Sequence, residues 1–267
     1  MPSILEVNLS SDNTLKRITY IIFALISYMI YLFAMTVFIL RLLDATQFLK
    51  VIAIEFQIEL VWSIYLDIAL IAMFGIPHSV MARAGFKKYF SRIIPLPIER
   101  SFYVLISSIT LIALSCLWQP INFEIWNIKT NFWMYVIHFI FLIGILLAVV
   151  STFLIDHFEL FGLKQAWNYL IKTEPHAAEF VTPSLYKLVR HPMMLGIILV
   201  LWSTPVMNIG HLILSSGLTL YIIIGTFFEE RDLVHIFGEK YLQYKRAVPI
   251  LLPFIKLKQN IKSEKEI

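Results

Sequence analysis

Arg190-His191-Pro192 stands in the chain where an apolar run begins, within Leu185-Tyr186-Lys187-Leu188-Val189-Arg190-His191-Pro192-Met193-Met194-Leu195-Gly196. Proline is favoured at the first helical position, so the order predicts a helix starting at Pro192 with His191 as its cap. A helix start carries unpaired N–H groups and partial positive charge. Arg190 and His191 add to it, making a receptor for a carboxylate or phosphate at a membrane surface. A second polar group follows about forty residues later, in Phe227-Phe228-Glu229-Glu230-Arg231-Asp232 and then Phe237-Gly238-Glu239-Lys240-Tyr241-Leu242-Gln243-Tyr244-Lys245-Arg246-Ala247-Val248-Pro249. Glu229 and Glu230 suit a cationic ligand group. Arg246 is placed to pair with one of them or to take an anion. Anion and cation receptors around an apolar pocket suit a zwitterionic amino acid joined to an aromatic base.

Two ionisable residues fall inside an earlier apolar run, Asp67 and His78. Eleven residues on a helix of 3.6 residues per turn leave them only about 20° apart in azimuth. With Ser63 they form a polar stripe turned toward other helices, and ionisable groups at that depth usually face a cavity or a partner. The reading is a wall of a substrate chamber, with an interhelical packing bond as its alternative.

These residues must be positioned by membrane helices. The chain is 59% hydrophobic and 15% charged, with mean hydropathy +0.77. Soluble domains are about 45–50% apolar and about 25% charged, so a soluble enzyme, a disordered chain and a coiled coil are set aside. The expected fold is an all-α, polytopic membrane helix bundle of five to six transmembrane segments. Spans of about 20 apolar residues are predicted at Ile18–Leu43, Leu60–Ala82, Ser101–Trp118 and Phe132–Ile155. A C-terminal helical hairpin follows, Pro192–Ser203 and Gly210–Phe228, around a turn at Thr204–Ile209. The whole chain, 1–267, reads as one domain, with 18–155 as a four-helix N-terminal bundle and 182–253 as the cofactor-binding hairpin and C-terminal segment. Gln259–Ile267 reads as a frayed tail.

Charge supports an even number of crossings with both termini cytoplasmic. With that orientation nineteen of the 22 Lys and Arg lie inside, and Arg41, Lys50 and Lys129 lie outside, as the positive-inside rule asks. A net charge of +4 is too small to argue for nucleic acid. Cys116, the one cysteine, rules out an internal disulfide and a cysteine-rich metal site. The seven histidines show no H-x-x-x-H or H-E-x-x-H spacing, so no metal is proposed.

The order Arg-His-Pro, a glycine four residues after the proline, a hairpin, Glu-Glu, then Phe-Gly…Tyr…Tyr…Val-Pro resembles the isoprenylcysteine carboxyl methyltransferase superfamily. Further stretches narrow the resemblance: Pro77-His78-Ser79-Val80-Met81-Ala82-Arg83, Pro95-Leu96-Pro97-Ile98-Glu99-Arg100-Ser101-Phe102-Tyr103, Phe158-Glu159-Leu160-Phe161-Gly162-Leu163-Lys164-Gln165-Ala166-Trp167 and Trp202-Ser203-Thr204-Pro205-Val206-Met207. Together, from about Leu60 to Pro253, they are similar to the nurim-like branch that includes bacterial methanethiol S-methyltransferases.

The resemblance implies an integral bacterial inner-membrane enzyme with a cytoplasmic active site. It would transfer a methyl group from S-adenosyl-L-methionine to methanethiol, giving dimethyl sulfide. The implied partners are a small thiol and the lipid bilayer, without nucleic acid or metal. It further implies that Arg190 and His191, with the backbone of Pro192–Met194, bind the carboxylate end of the cofactor. Glu229 and Glu230 would bind its amino or ribose groups. Tyr186, Tyr241 and Tyr244 would wall the site or donate hydrogen bonds. Arg246, paired with Glu230, would order the site and favour thiolate. His78 is the candidate base, and Asp67, Arg83 and Trp202 join it on the substrate side, with Glu99–Arg100 nearby. A lipid or isoprenylcysteine carboxyl acceptor, a non-catalytic nurim-like membrane protein and a transporter are the competing readings.

Overall fold

A computed structural model describes residues 13–44, 51–174 and 180–253. Lys50, the lysines at 256 and beyond, and the tail Gln259–Ile267 lie outside the described residues. The elements in chain order are α1 (Thr14–Leu42), α2 (Leu60–Met81), α3 (Ala84–Phe90), α4 (Leu96–Leu117), β1 (Glu124–Asn127), α5 (Asn131–Ile155), α6 (His157–Leu160), α7 (Leu163–Ile171), α8 (Pro192–Trp202), β2 (Val206–Asn208), α9 (Ile209–Phe237) and α10 (Glu239–Ala247). Among the described residues α1, α2, α4, α5 and α9 are long and apolar enough to cross a membrane. The protein is an integral, multi-pass membrane helix bundle.

Local chemistry sets the helix ends. Asn13 Oδ1 accepts from Leu15 N at 3.1 Å, and Asn208 Oδ1 accepts from His211 N at 2.8 Å; both satisfy amides left without partners at a helix start. Pro192 occupies the first turn of α8, with His191 as cap, as the Arg-His-Pro order predicts. Most of the apolar stripes meet in a main core that includes Phe38, Leu111, Leu114, Phe141, Leu201 and Leu218, and Ala24, Leu163 and Ala166 form a smaller one between α1 and α7.

α8 lies against α5 without side chains between them. A Cβ on Gly144 would stand 2.8 Å from the Gly196 carbonyl oxygen, and one on Gly196 would stand 2.6 Å from Ala148 N. Lipid tails offer no hydrophobic drive for helices to associate, so close backbone approach at small residues takes that role. This contact fixes where the helix carrying His191 begins.

The first arm of the hairpin is short, as its sequence suggests, while the turn and the second arm differ from expectation. α8 has 11 residues, about 16 Å at 1.5 Å per residue, roughly half of the ~30 Å hydrocarbon thickness. Residues 203–208 lead from α8 through a bend at Pro205 into β2. At its end Val206–Asn208 pairs antiparallel with β1, with Asn127 opposite Val206 and Trp126 opposite Met207. Helix and extended segment together make one traverse, so the described chain runs through the bundle six times. Irregular backbone at membrane depth is tolerated only when buried in protein, and Thr204 and Met207 are buried. The second arm, α9, continues past Phe228 to Phe237. Glu229 to Asp232 therefore project from a helix rather than from a tail.

Chain direction places the start of α1, the end of α2, the starts of α4 and α8 and the ends of α5 and α9 at one end of the bundle. α3, α6, α7 and α10 are gathered there. The β1–β2 ribbon lies at the other end.

Candidate active site

Arg190 is the centre of a buried ionic cluster. Its Nε donates to Glu230 Oε1 at 2.5 Å. Its Nη1 donates to the Lys245 carbonyl at 2.9 Å and also to the Val248 carbonyl. Lys245 Nζ lies 3.0 Å from Glu230 Oε2, and His191 Nε2 lies 3.4 Å from Glu230 Oε1. The Arg190 and Glu230 side chains are 4% and 5% exposed. A charge buried to that degree is tolerated only with partners on every side, and Glu230 has three. The backbone amides of Arg190 and His191 donate to the carbonyls of Pro249 and Ile250. The segment after α10 is thereby bound to the start of α8.

This geometry bears on two expectations. Arg190 gives its Nε and Nη1 donors to Glu230 and to main-chain carbonyls, so these atoms brace the start of α8. Arg246 does not pair with Glu230: its Nη1 is 3.5 Å from Glu239 Oε1, with both side chains more than half exposed. The reason is helical phase. One residue is a 100° step, and Lys245, not Arg246, faces the same way as Tyr241 four residues earlier.

Glu229 is the carboxylate with an open side. Its side chain is 48% exposed, and Oε2 stands 3.7 Å from His191 Nδ1. It lies within electrostatic range of the Tyr186 and Tyr103 hydroxyls. Phe180, Tyr241 and Tyr244 form an aromatic wall, with ring centroids 5.4–5.8 Å apart. Tyr244 donates to the Tyr186 carbonyl at 2.5 Å, and Tyr186 donates to the Ser151 carbonyl at 3.4 Å. The Tyr241 hydroxyl is buried and has no hydrogen-bond partner among the described residues. Burial pushes all three phenols up, Tyr244 to about 12, with Glu229 adding at Tyr186 and Glu230 adding at Tyr241 and Tyr244. All three are protonated donors at neutral pH.

His78 belongs to a neighbouring cluster. Its Nδ1 is 3.0 Å from Ser107 Oγ, and its Nε2 is 2.8 Å from the Tyr103 hydroxyl. Phe74 stacks on the imidazole, with centroids 5.3 Å apart. Tyr103 borders a shallow pocket with Met81, Phe86, Lys87, Phe90, Glu99 and Arg100. Arg83 donates to Asp232 Oδ2 at 2.9 Å and lies over the Phe228 ring, which links α2 to the end of α9.

Asp67 and Trp202 are not brought to this end. Asp67 Oδ1 accepts from Gln119 N at 2.8 Å. Gln119 in turn holds Phe56 N and the Ile54 carbonyl, so Asp67 ties a turn at the ribbon end. Eleven residues of helix put it about 16 Å from His78. Trp202 donates to Thr219 Oγ1 at 2.9 Å, at the far end of α8. Met194 packs against the apolar core.

Comparison with known proteins bears on this constellation. Over 194 residues the chain is 46% identical to a methanethiol S-methyltransferase of Pseudomonas deceptionensis, a match covering 73% of this chain and 74% of that protein. This chain belongs to the methanethiol S-methyltransferase family. A methanethiol S-methyltransferase of Mycobacterium tuberculosis is 40% identical over 195 residues, covering 72% of this chain and 79% of that one. Nurim of Xenopus laevis is 27% identical over 217 residues, covering 71% of this chain and 74% of its own. No family model and no solved structure matches the chain.

In this methanethiol S-methyltransferase family member, sequence reasoning left Lys245, Tyr103, Ser107 and Phe180 without roles. Two signals were available. Tyr241 and Lys245 are four apart on one helix, as are Tyr103 and Ser107, and such pairs share a face. Nothing local points from His78 to Tyr103, because only packing of α2 against α4 joins them.

Proposed function

We propose that this protein methylates methanethiol to dimethyl sulfide, with S-adenosyl-L-methionine as the methyl donor. The observation that carries the reading is the cluster of Glu229, His191 and the unpartnered Tyr241 hydroxyl in a chain of the methanethiol S-methyltransferase family. The residues present fit the cofactor. Glu229 offers a half-exposed carboxylate to an ammonium or ribose hydroxyl, and His191 at the start of α8 suits a carboxylate. The orphaned Tyr241 hydroxyl offers a buried donor, since such groups ordinarily find partners. Phe180 and Tyr244 offer aromatic faces. When bound, the cofactor supplies a methyl group on a positively charged sulfur.

The protein's own work is to bind, dry and orient. Arg190, Glu230 and Lys245 lock α8, α9 and α10 together so that Glu229 and His191 keep their spacing. A small thiol is mostly protonated at neutral pH, since even cysteine has a pKa of roughly 8.5, and the thiolate is the nucleophile. The His78–Tyr103 cluster is the nearby group suited to removing that proton. Positioning two reactants in a water-poor site supplies much of the remaining acceleration. The bundle end that gathers these residues also carries Arg83, Lys87, Arg100, Lys164 and Lys245. This favours a cytoplasmic active site, in a bacterial inner membrane, with both termini on that side.

The test is headspace gas analysis of membranes containing the protein, S-adenosyl-L-methionine and methanethiol. Dimethyl sulfide from the wild type and not from Glu229→Ala is the expected result. Cofactor binding without product overturns the thiol acceptor and points to a lipid one. Absence of both product and binding overturns the enzyme reading.

A further inference from the structure

We propose that Gly225 shapes the acceptor pocket: the thiol sits in the space that its missing side chain leaves on the inner face of α9. The proposal rests on the thiol methylation reading above and adds where that reaction holds its acceptor. A glycine inside a helix is disfavoured relative to alanine, so it calls for a packing reason or a ligand reason. Gly75, Gly144, Gly196, Gly210 and Gly217, the other glycines of the apolar helices, have the packing reason. An added Cβ on any of them would stand 3.3 Å or less from an atom of a neighbouring segment. Gly225 has no such reason. Among the described residues, an added Cβ there meets nothing within 4 Å outside its own stretch of α9.

The face is an inward one. Leu218, seven residues earlier, and Ile222, three earlier, are each 5% exposed and belong to the main core. Residues at these spacings share a side of a helix. Tyr221, four residues earlier, faces α2: its ring lies 3.0 Å from where a Cβ on Gly75 would stand, and its hydroxyl accepts from Ser79 Oγ at 3.3 Å. Glu229, four residues later, faces His191 at the start of α8. With about 100° between successive residues, Gly225 points between α2 and α8, into the bundle.

The notch therefore lies between the two clusters of the candidate site. One turn along α9, about 6 Å of axis, stands Tyr221, edge-on to the His78 imidazole with centroids 6.2 Å apart. One turn the other way stands Glu229. Methyl transfer needs donor carbon and acceptor sulfur about 3–3.5 Å apart, and this is the place from which a small acceptor reaches both clusters. Thr226 adds a second sign of a ligand. It is 1% exposed, and its hydroxyl has no hydrogen-bond partner among the described residues. Ser108 and Ser115 give theirs to carbonyls one turn earlier in α4. A buried hydroxyl ordinarily finds a partner, and this one stands on the α8 side of the notch. Methanethiol is one carbon and one sulfur, the scale of a single missing side chain.

The test makes Gly225→Ala and Gly225→Leu, with Ile224→Leu as the outward-facing control, since Ile224 is 48% exposed. It reads the melting temperature, the S-adenosyl-L-methionine affinity by calorimetric titration, and dimethyl sulfide formation as methanethiol is varied. Gly225→Ala should melt at or above wild type and keep its cofactor affinity. Its kcat/KM for methanethiol should fall about 10-fold, the usual effect of one methylene too many in a close pocket. Gly225→Leu should lose about 100-fold or more and still bind the cofactor. Ile224→Leu should match wild type throughout. Full activity of Gly225→Leu overturns the pocket. A lower melting temperature for Gly225→Ala also overturns it, because the space would then be filled by protein. Cofactor affinity lost in step with activity gives the space to the cofactor and overturns the acceptor assignment. A wild type that makes no dimethyl sulfide removes the thiol reading and this acceptor with it, whereas active variants beside an active wild type remove the pocket alone.

Discussion

Arg190 Nε and Glu230 Oε1 stand 2.5 Å apart across 40 residues of chain, and that one bond ties the start of α8 to the later turns of α9. Removing one partner leaves the other charged and buried. Glu230→Ala is expected to lower stability by about 3–5 kcal/mol. Arg190→Met combined with Glu230→Leu should be less damaging than the two single losses added together, because neither charge is then stranded. Thermal unfolding in detergent measures both.

Glu229 is expected to separate binding from folding. Its carboxylate is half exposed, and among the described residues its ion-pair partner is His191. Glu229→Gln should leave the melting temperature almost unchanged. It should weaken S-adenosyl-L-methionine by about 10–100-fold, the equivalent of a charge-assisted hydrogen bond of about 1.5–3 kcal/mol. Calorimetric titration reads the affinity directly.

Adjacent lysine and arginine on α10 should behave oppositely. Lys245→Met removes a partner of a buried carboxylate and should cost about 1–3 kcal/mol. Arg246→Met touches only an exposed pair with Glu239 and should stay within about 0.5 kcal/mol of wild type. Equal effects would contradict the helical phase described above.

The α5–α8 contact admits no side chain. Gly196→Val should cost at least about 1–3 kcal/mol through overpacking and reduce methyl transfer, since it shifts the start of α8. Gly225→Ala is the control: an added Cβ there meets nothing within 4 Å, and alanine favours a helix by roughly 1 kcal/mol over glycine.

Asp156 and Lys164 set a pH dependence at the α6–α7 corner. Burial raises the Asp156 pKa, but the bonds from Lys164 and the Glu159 amide outweigh it and hold the carboxyl below its ordinary value. Its contribution is full above about pH 4 and fades as pH falls further. The bond to Asp156 leads in raising the Lys164 pKa, so that share is full below about pH 10 and fades as pH rises. Asp156→Asn should flatten both flanks of a stability–pH curve, and the effect should shrink with salt.

How much of this was legible in sequence follows from what kind of physics set each feature. Hydropathy marks where lipid ends, and the expected spans match the long helices to within a few residues at most ends. It does not mark where a helix ends. Glu229–Asp232 are compatible with helix, so α9 runs on to Phe237 after its apolar stretch stops at Phe228. Pro192 and His191 declared the start of α8 because cap chemistry is local. The β1–β2 pairing was not readable, since strands of four and three residues are too short to show alternation. The choice of Lys245 over Arg246 turns on one 100° step, and the meeting of His78 with Tyr103 depends on how two helices pack. In the same way Asp67 shares an azimuth with His78 but lies at the other end of its helix, which the helical wheel ignores.

The ribbon also decides where the bundle can move. β1 joins α4 to α5 and β2 joins α8 to α9, so a single antiparallel pairing clamps four traverses at one end. The opposite end has no strand pairing among the described residues and is held by the charges around Glu230 and by the Arg190 and His191 amides on Pro249 and Ile250. The molecule is built like a pair of tongs with its pivot at the ribbon. Any widening that admits a cofactor must open at the jaws, where Arg190 and Glu230 meet, and amide exchange should be slowest at Trp126 and Met207 and quicken toward α10.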